Sequence, residues 1–179
     1  MERHNLLTEQ LDLRPITMAD ADRLAVFHAD ARVMNLLQHG VLTRPQSNAM
    51  VANYEAEWPA LGFGSWTASE RATGRLVGLG GLRVHTGDYG VAIRLAFSPD
   101  AQGKGYGPEL SRAALAFAFE VARLDRVVAI TRLENLPSQR SLEKSGMVRE
   151  REIKADGDRT LVLYAMHNPK SVKPRQRML

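Results

Sequence analysis

The first third of the chain changes from strand-like alternation to helical spacing. Leu11, Leu13 and Ile16 alternate with polar residues and predict an opening strand that ends near Pro15. Three helices are predicted to follow, beginning at Thr17, over residues 31–38, and from Thr43 to near Pro59.

The middle of the chain returns to a period of two. Alternation over residues 63–69 and 75–84, around a turn at 71–74, predicts a hairpin. A further strand over 91–97 makes three adjacent antiparallel strands the simplest arrangement. The two tryptophans of this region, Trp58 and Trp66, are expected to pack in the core rather than to line a pocket.

The pattern becomes helical again after residue 107. Leu110, Ala114 and Phe117 are spaced to form one buried helix face. A strand over 126–131, a short helix over 137–144 and a hairpin over 147–166 are predicted to complete the chain. This order of elements predicts one α/β (α+β) domain, built around a single sheet and covering residues 1–167.

Composition excludes several classes of function. The chain has 179 residues, with 44% hydrophobic and 25% charged, as in ordinary globular domains. No run approaches the roughly 18 apolar residues of a membrane span, and the N-terminus lacks a signal sequence, so we expect a cytoplasmic protein. The absence of cysteine excludes disulfides and a cysteine nucleophile. The histidine spacing suggests no metal site.

The formal net charge is +4, and part of the excess lies near the C-terminus. Residues 168–179 include Lys170, Lys173, Arg175 and Arg177 and predict a basic, flexible tail. Binding of a ribosome or nucleic acid through this tail is one hypothesis, and a solvated terminus is the other.

A glycine-rich turn, residues 102–107, connects a strand to the long helix. Glycine admits positive φ angles and lets a ligand approach the N–H groups at the helix start. The helix dipole favours an anion there, and Lys104 adds a cation. The spacing matches neither the Walker A nor the Rossmann pattern. Alone, the turn therefore indicates either a phosphate site or a tight packing turn.

Four segments in chain order resemble one family. Gln102-x-x-Gly105-x-Gly107 matches the Q/R-x-x-G-x-G/A signature of GNAT acetyltransferases. Residues 135–147 resemble the family's N-x-x-S-x-x-x-L-E-K-x-G-F segment, and residues 161–166 its last strand. The opening, residues 10–20, resembles the subgroup that acetylates ribosomal-protein N-termini. The resemblance implies the GNAT fold, a central, mostly antiparallel mixed sheet of about six to seven strands flanked by helices.

The same resemblance implies acetyl-CoA as co-substrate. In the family, backbone amides of the signature turn hold the pyrophosphate, and amides of the preceding strand, here around Ala96, Phe97 and Ser98, hold the thioester carbonyl. Asn135 is expected to contact the pantetheine arm, to cap the following helix, or both. The residues expected to bind acetyl-CoA are Phe97, Ser98, Gln102, Gly103, Lys104, Gly105, Tyr106, Gly107, Asn135 and Ser138.

Acetyl transfer benefits from a proton donor for the leaving thiolate and a base for the amine. Many family members carry a tyrosine where this chain has Leu142, so Ser141 is the predicted donor, unless it is a passive helix residue. The base stays open between Glu55 or Glu57, His85 and a water relay. The predicted catalytic set is Ser141, Asn135 and Glu57.

We therefore expect an N-acetyltransferase that acts directly on an amine, as a monomer or homodimer. A protein or peptide N-terminal α-amine is the first choice of acceptor, because its pKa of about 7.7–8.0 lies far below the roughly 10.4 of lysine. A small-molecule amine (antibiotic, polyamine or metabolite) and an inactive acyl-CoA-binding module are the alternatives.

Overall fold

The structure, a computed structural model, describes residues 4–34, 40–155, 157 and 159–171. Its strands are β1 (Leu6–Leu7), β2 (Leu11–Pro15), β3 (Ser65–Glu70), β4 (Leu76–Val84), β5 (Val91–Phe97), β6 (Arg126–Arg132), β7 (Val148–Lys154) and β8 (Thr160–His167). They form one sheet in the order β1-β2-β3-β4-β5-β6-β8-β7. All described pairs are antiparallel except β5 with β6.

The predicted fold class is confirmed, and the sheet has eight strands rather than six or seven. The additional strand is β1, whose two residues pair with Leu13 and Asp12 of β2. A strand of two residues is too short to produce a detectable alternation, so the sequence pattern did not reveal it.

Five α-helices accompany the sheet: α1 (Ala21–Ala29), α2 (Ala31–Met34), α3 (Arg44–Leu61), α4 (Tyr106–Glu120) and α5 (Leu136–Lys144). The predicted extension of the second helix over residues 35–38 lies outside the described residues. The third helix, predicted to end near Pro59, continues two residues past it to Leu61. Gly62 caps this helix in the left-handed conformation, with a φ of 75° and an N–H bond to the Trp58 carbonyl.

Apolar residues fill the space on both faces of the sheet. One cluster joins Leu110 and Phe117 of α4 to Trp58 and Trp66, which are 3% and 0% exposed. Both tryptophans therefore pack in the core, as predicted. A second cluster joins α1 and α3 to Leu79 of β4 and to other residues of that face. None of the helices within the described ranges is long and apolar enough to cross a membrane.

The chain after β8 remains attached to the domain for four residues. The N–H of Asn168 donates to the Asp125 carbonyl at 2.8 Å, and its side-chain amide donates to the Leu124 carbonyl at 3.2 Å. The hydroxyl of Ser171 donates to the Asp125 carboxylate. These contacts extend past the predicted domain boundary at residue 167. The remainder of the predicted tail, 172–179, lies outside the described residues.

Candidate functional site

A cleft opens where β5 and β6 separate. The two strands pair in parallel through Ala92 and Val128 and then diverge. The cleft has a volume of about 470 Å³. Its walls are residues 93–95 of β5, residues 129–132 of β6, and Asn135, Ser138 and Leu142. His85 and Arg159 contribute to its lining from two different hairpins.

Two backbone N–H groups of β5 face this cleft. The N–H of Ser98 donates to the Val77 carbonyl at 2.9 Å. Because successive N–H groups of a strand point in opposite directions, the N–H of Ala96 also faces β4. The N–H groups of Leu95 and Phe97 then point toward the diverging β6. This corrects the predicted roles of the Ala96 and Ser98 amides, and it adds Leu95 as a donor that sequence reasoning missed.

The glycine-rich turn has the backbone that the sequence predicted. Gly103 and Gly105 adopt φ angles of 78° and 85°, which favour glycine, and Gly105 is the N-cap of α4. The N–H groups of Tyr106 and Gly107 lie in the first helical turn, where no intrahelical carbonyl can accept from them. The turn from Gln102 to Gly105 is exposed. It therefore presents free donors and a helix dipole to an anion.

Two side chains of this turn bind a carboxylate rather than pointing freely into solvent. Lys104 Nζ lies 3.5 Å from Glu70 Oε1, and the Tyr106 hydroxyl donates to the same oxygen at 2.5 Å. The hydrogen bond from Tyr106, followed by that from Thr73, lowers the pKa of Glu70 to about 2. Glu70 at the end of β3 thus ties the turn to the sheet.

Asn135 caps α5 and also lines the cleft. Its Oδ1 accepts from the Ser138 N–H at 3.2 Å and caps α5. Because Oδ1 is used by the cap, the Nδ2 hydrogens remain as donors, and Asn135 also lines the cleft. Ser138 and Leu142 lie on the same wall. The position of the family's tyrosine therefore faces the cleft, but here it carries an apolar side chain.

Ser141 is directed toward α4 and does not line the cleft. Its Oγ is buried without a hydrogen-bond partner among the described residues, and it lies 2.7 Å from the place where a Cβ on Gly107 would be. The predicted role as proton donor at the reacting thiol is therefore not supported by its position. Ser138 is the serine of α5 that lines the cleft.

The predicted base Glu57 is bound in an ion pair. Two nitrogens of Arg83 donate to it at 2.6 and 2.9 Å, and Glu57 does not line the cleft. Glu55 lies on α3 outside the cleft lining. His85 does line the cleft, but its Nδ1 accepts from the Gly87 N–H at 2.9 Å. A neutral His85 therefore carries its proton on Nε2 and cannot accept one there.

Sequence reasoning missed the arginines of the cleft. Arg94 of β5 and Arg132 of β6 both line it, and in the described part of the chain no Asp or Glu does. Burial, and then the charge of Arg83, lower the pKa of Arg94. An arginine among apolar strand residues was the available signal. Over the described ranges, no group of three His, Asp or Glu side chains is placed to hold a metal.

Residues 10–148 match the family model of the acetyltransferase (GNAT) domain. A relative in Bacillus subtilis (strain 168), the uncharacterized N-acetyltransferase YnaD, is 27% identical over 146 residues, which cover 82% of this chain and 84% of that protein. Mycothiol acetyltransferase from Mycobacterium sp. (strain MCS) is 32% identical over 110 residues, 56% of this chain and 36% of the other.

Solved structures agree with the family match. A GNAT-family acetyltransferase from Bacillus anthracis superposes with a TM-score of 0.79 at 25% identity, covering 92% of this chain and 98% of that one. More distant structures share the fold. They include ribosomal-protein-S5-alanine acetyltransferase from Vibrio fischeri (TM-score 0.79, 16% identity, 95% and 99% covered) and AAC(6')-Ib with paromomycin and acetyl-CoA (0.74, 17%, 95% and 100%).

Proposed function

The chain belongs to the GNAT acetyltransferase family and uses acetyl-CoA, and we propose that it acetylates the α-amine of a protein or peptide N-terminus directly. The observation that supports direct transfer is the parting of β5 and β6, which places free N–H groups beside a glycine turn at a helix start. The chain has no cysteine that could carry an acetyl group between the two substrates.

The residues of the cleft divide the binding task between them. The first turn of α4 provides N–H donors for the pyrophosphate, and Asn135 Nδ2 provides a donor for the pantetheine arm. When bound, acetyl-CoA supplies the acetyl thioester that the amine attacks. The N–H groups of Leu95 and Phe97 then bind the thioester oxygen, where negative charge develops during transfer.

We propose an α-amine as the acceptor because the described residues of the cleft offer no free base to deprotonate an amine. The described lining of the cleft has no carboxylate, Glu57 is held by Arg83, and the Nδ1 of His85 is occupied. Loss of the proton to water is far easier for an α-amine than for a lysine, whose pKa is higher by roughly 2.5 units. Ser138, which replaces the predicted Ser141 in this role, is the hydroxyl proposed to stabilise the leaving thiolate by donating a hydrogen bond, and the thiolate takes its proton from water.

A small-molecule amine is the second candidate acceptor. It is supported by the 32% identity to mycothiol acetyltransferase, although this chain spans only 36% of that protein. The third hypothesis is an inactive acyl-CoA-binding module. It is motivated by Leu142, which stands where many family members carry the proton-donating tyrosine.

One assay distinguishes these three hypotheses. Coenzyme A release is followed with a thiol-reactive dye, and the cysteine-free chain adds no background. The acceptors are peptides with free N-termini, N-terminally blocked peptides with one lysine, polyamines and aminoglycosides. Faster release with free N-termini alone supports the proposal. Release with small amines alone overturns the N-terminal acceptor, and acetyl-CoA binding without any release supports the inactive module.

A further inference from the structure

A second, smaller cavity lies on the sheet face covered by α1 and α3. It has a volume of about 70 Å³, and its lining includes Tyr54, Arg83, Arg94 and Leu95. Arg94 and Leu95 also line the larger cleft, so the middle of β5 borders both spaces. An acceptor that approaches the cleft from this face passes Arg94.

Arg94 points away from the helix that binds the pyrophosphate. Its neighbours in the strand, Ile93 and Leu95, pack in the cluster that contains α4. Side chains alternate along a strand, and Ala96, on the same face as Arg94, packs with α1 and α3. The charge of Arg94 is therefore not directed at the phosphate-binding turn.

The two arginines of the smaller cavity differ in their partners. Arg83 is paired with Glu57 through two nitrogens and lies 4.8 Å above the Tyr54 ring. Arg94 is half-buried, and it has no hydrogen bond or ion pair to any residue in the described ranges. Buried charges in proteins are normally paired, because transfer from water is costly. Among the described residues, Glu57 interacts with Arg94 only through its longer-range charge, and no carboxylate contacts Arg94 directly.

We infer that Arg94 binds a carboxylate carried by the acceptor amine. The inference rests on the proposed function and narrows its substrate class. A guanidinium binds a carboxylate through two parallel N–H···O bonds, which would also orient the amine toward Leu95. The carboxylate belongs either to an acidic side chain at the start of a peptide or to a free amino acid. Polyamines and aminoglycosides, which carry several cations, are disfavoured by the same charge.

The test compares matched acceptors with the full-length chain. Peptides with Asp or Asn at the second position, glutamate and its diamide, and one polyamine are assayed by coenzyme A release. We expect at least ~10-fold higher kcat/KM for each carboxylate over its amide, the size of a hydrogen bond to a charged group. The peptide pair and the amino-acid pair distinguish the two sources of carboxylate.

Three variants connect this preference to one side chain. Arg94→Gln is expected to reduce the carboxylate-to-amide ratio to about 2 or less, mainly through the KM of the acceptor, and Arg94→Glu to favour the polyamine. Arg151→Gln, the same charge change at an exposed position of β7, keeps the wild-type ratio. The inference would be overturned if Arg94→Gln lost the same fraction of kcat/KM with every acceptor, or if it raised only the KM for acetyl-CoA. A wild-type chain that prefers the polyamine over the carboxylates would overturn it as well.

A separate measurement keeps the inference testable if no amine is acetylated. In that case the proposed function fails, and binding of N-acetylglutamate and its diamide is measured by calorimetry in the presence of coenzyme A. Tighter binding of the carboxylate by the wild type, lost in Arg94→Gln, still supports the anion site. Equal binding of both ligands by a folded wild-type chain refutes it.

Discussion

At the scale of single residues, Asn135 performs two tasks that substitution can separate. Asn135→Asp retains an oxygen that can cap α5 but removes the Nδ2 donor from the cleft. We expect the thermal stability of this variant to stay near that of the wild type, while its affinity for acetyl-CoA falls by ~10-fold, as for one lost hydrogen bond in a partly buried site. Calorimetric titration and thermal unfolding measure the two effects.

Asn135→Ala is the matched control, because it removes both groups. It should lose the same affinity and also about 1 kcal/mol of stability from the missing cap. If Asn135→Asp binds acetyl-CoA as tightly as the wild type does, Asn135 serves the helix alone.

Sequence reasoning succeeded where the role of a residue depends on its local backbone conformation. It failed where the role depends on how two elements pack against each other. The φ angles of Gly103 and Gly105 and the cap at Asn135 are local properties, so motif spacing was sufficient to predict them. Whether Ser138 or Ser141 faces the cleft depends on the rotation of α5 against α4, which is not encoded in either helix alone. The pairing of Glu57 with Arg83 joins α3 to β4, so it could not be predicted from the sequence of either element.

At the scale of elements, the close approach of α4 and α5 depends on Gly107. A Cβ at this position would lie 2.7 Å from Ser141 Oγ. In Gly107→Ala, rotation of that hydroxyl costs about 0.5–1.5 kcal/mol. This cost offsets the roughly 1 kcal/mol that alanine gains over glycine in a helix. We therefore expect Gly107→Ala alone to change the free energy of unfolding little.

The stabilisation by alanine at position 107 should appear when the Ser141 hydroxyl is also removed. In the Ser141→Ala background, Gly107→Ala is expected to stabilise the chain by up to ~1 kcal/mol, measured by urea unfolding without acetyl-CoA. A double-mutant cycle with no coupling energy would mean that the two helices do not meet through these two residues.

The contact between β3 and the phosphate-binding turn predicts that the free energy of unfolding decreases at acid pH. Hydrogen bonds from Tyr106 and then Thr73 lower the pKa of Glu70 from 4.5 to about 2 in the folded chain. A carboxylate whose folded pKa is depressed stabilises the fold above its unfolded pKa, and this contribution is lost as the pH falls from about 4.5 toward 2.

Glu70→Gln removes this contribution. The urea midpoint of the wild type should exceed that of Glu70→Gln at pH 6, and the difference should shrink as the pH falls toward 2. Glu120→Gln, at the exposed end of α4, is the control and should keep a constant difference from the wild type. A gap between wild type and Glu70→Gln that is unchanged down to pH 2 would contradict the assignment.

At the scale of the whole molecule, the order of strands could be predicted only in part. Consecutive hairpins place β3 to β5 and β7 to β8 side by side, as the sequence pattern indicated. The parting of β5 from β6 is different. It depends on a parallel neighbour that the chain reaches only after the whole of α4, so the cleft itself followed from the family resemblance and not from the alternation of residues.

The C-terminus gives a prediction about where the folded unit ends. Asn168 is 6% exposed and donates to the carbonyls of Asp125 and Leu124. Truncation after His167 removes both hydrogen bonds and should cost about 0.5–1.5 kcal/mol for each of them. Truncation after Ser171 removes none of these bonds and should stay within about 0.5 kcal/mol of the full-length chain.

The second truncation also isolates the basic tail as a possible docking segment. It removes Lys173, Arg175 and Arg177 while leaving the bonds of Asn168 in place. If the tail attracts a ribosome or nucleic acid, the full-length chain should bind RNA with an affinity that falls steeply with salt, because each neutralised phosphate releases a counterion. The chain ending at Ser171 should bind more weakly with a shallower salt dependence, and should acetylate short peptides at the wild-type rate. RNA binding that is unchanged by this truncation would assign the interaction to the domain surface instead.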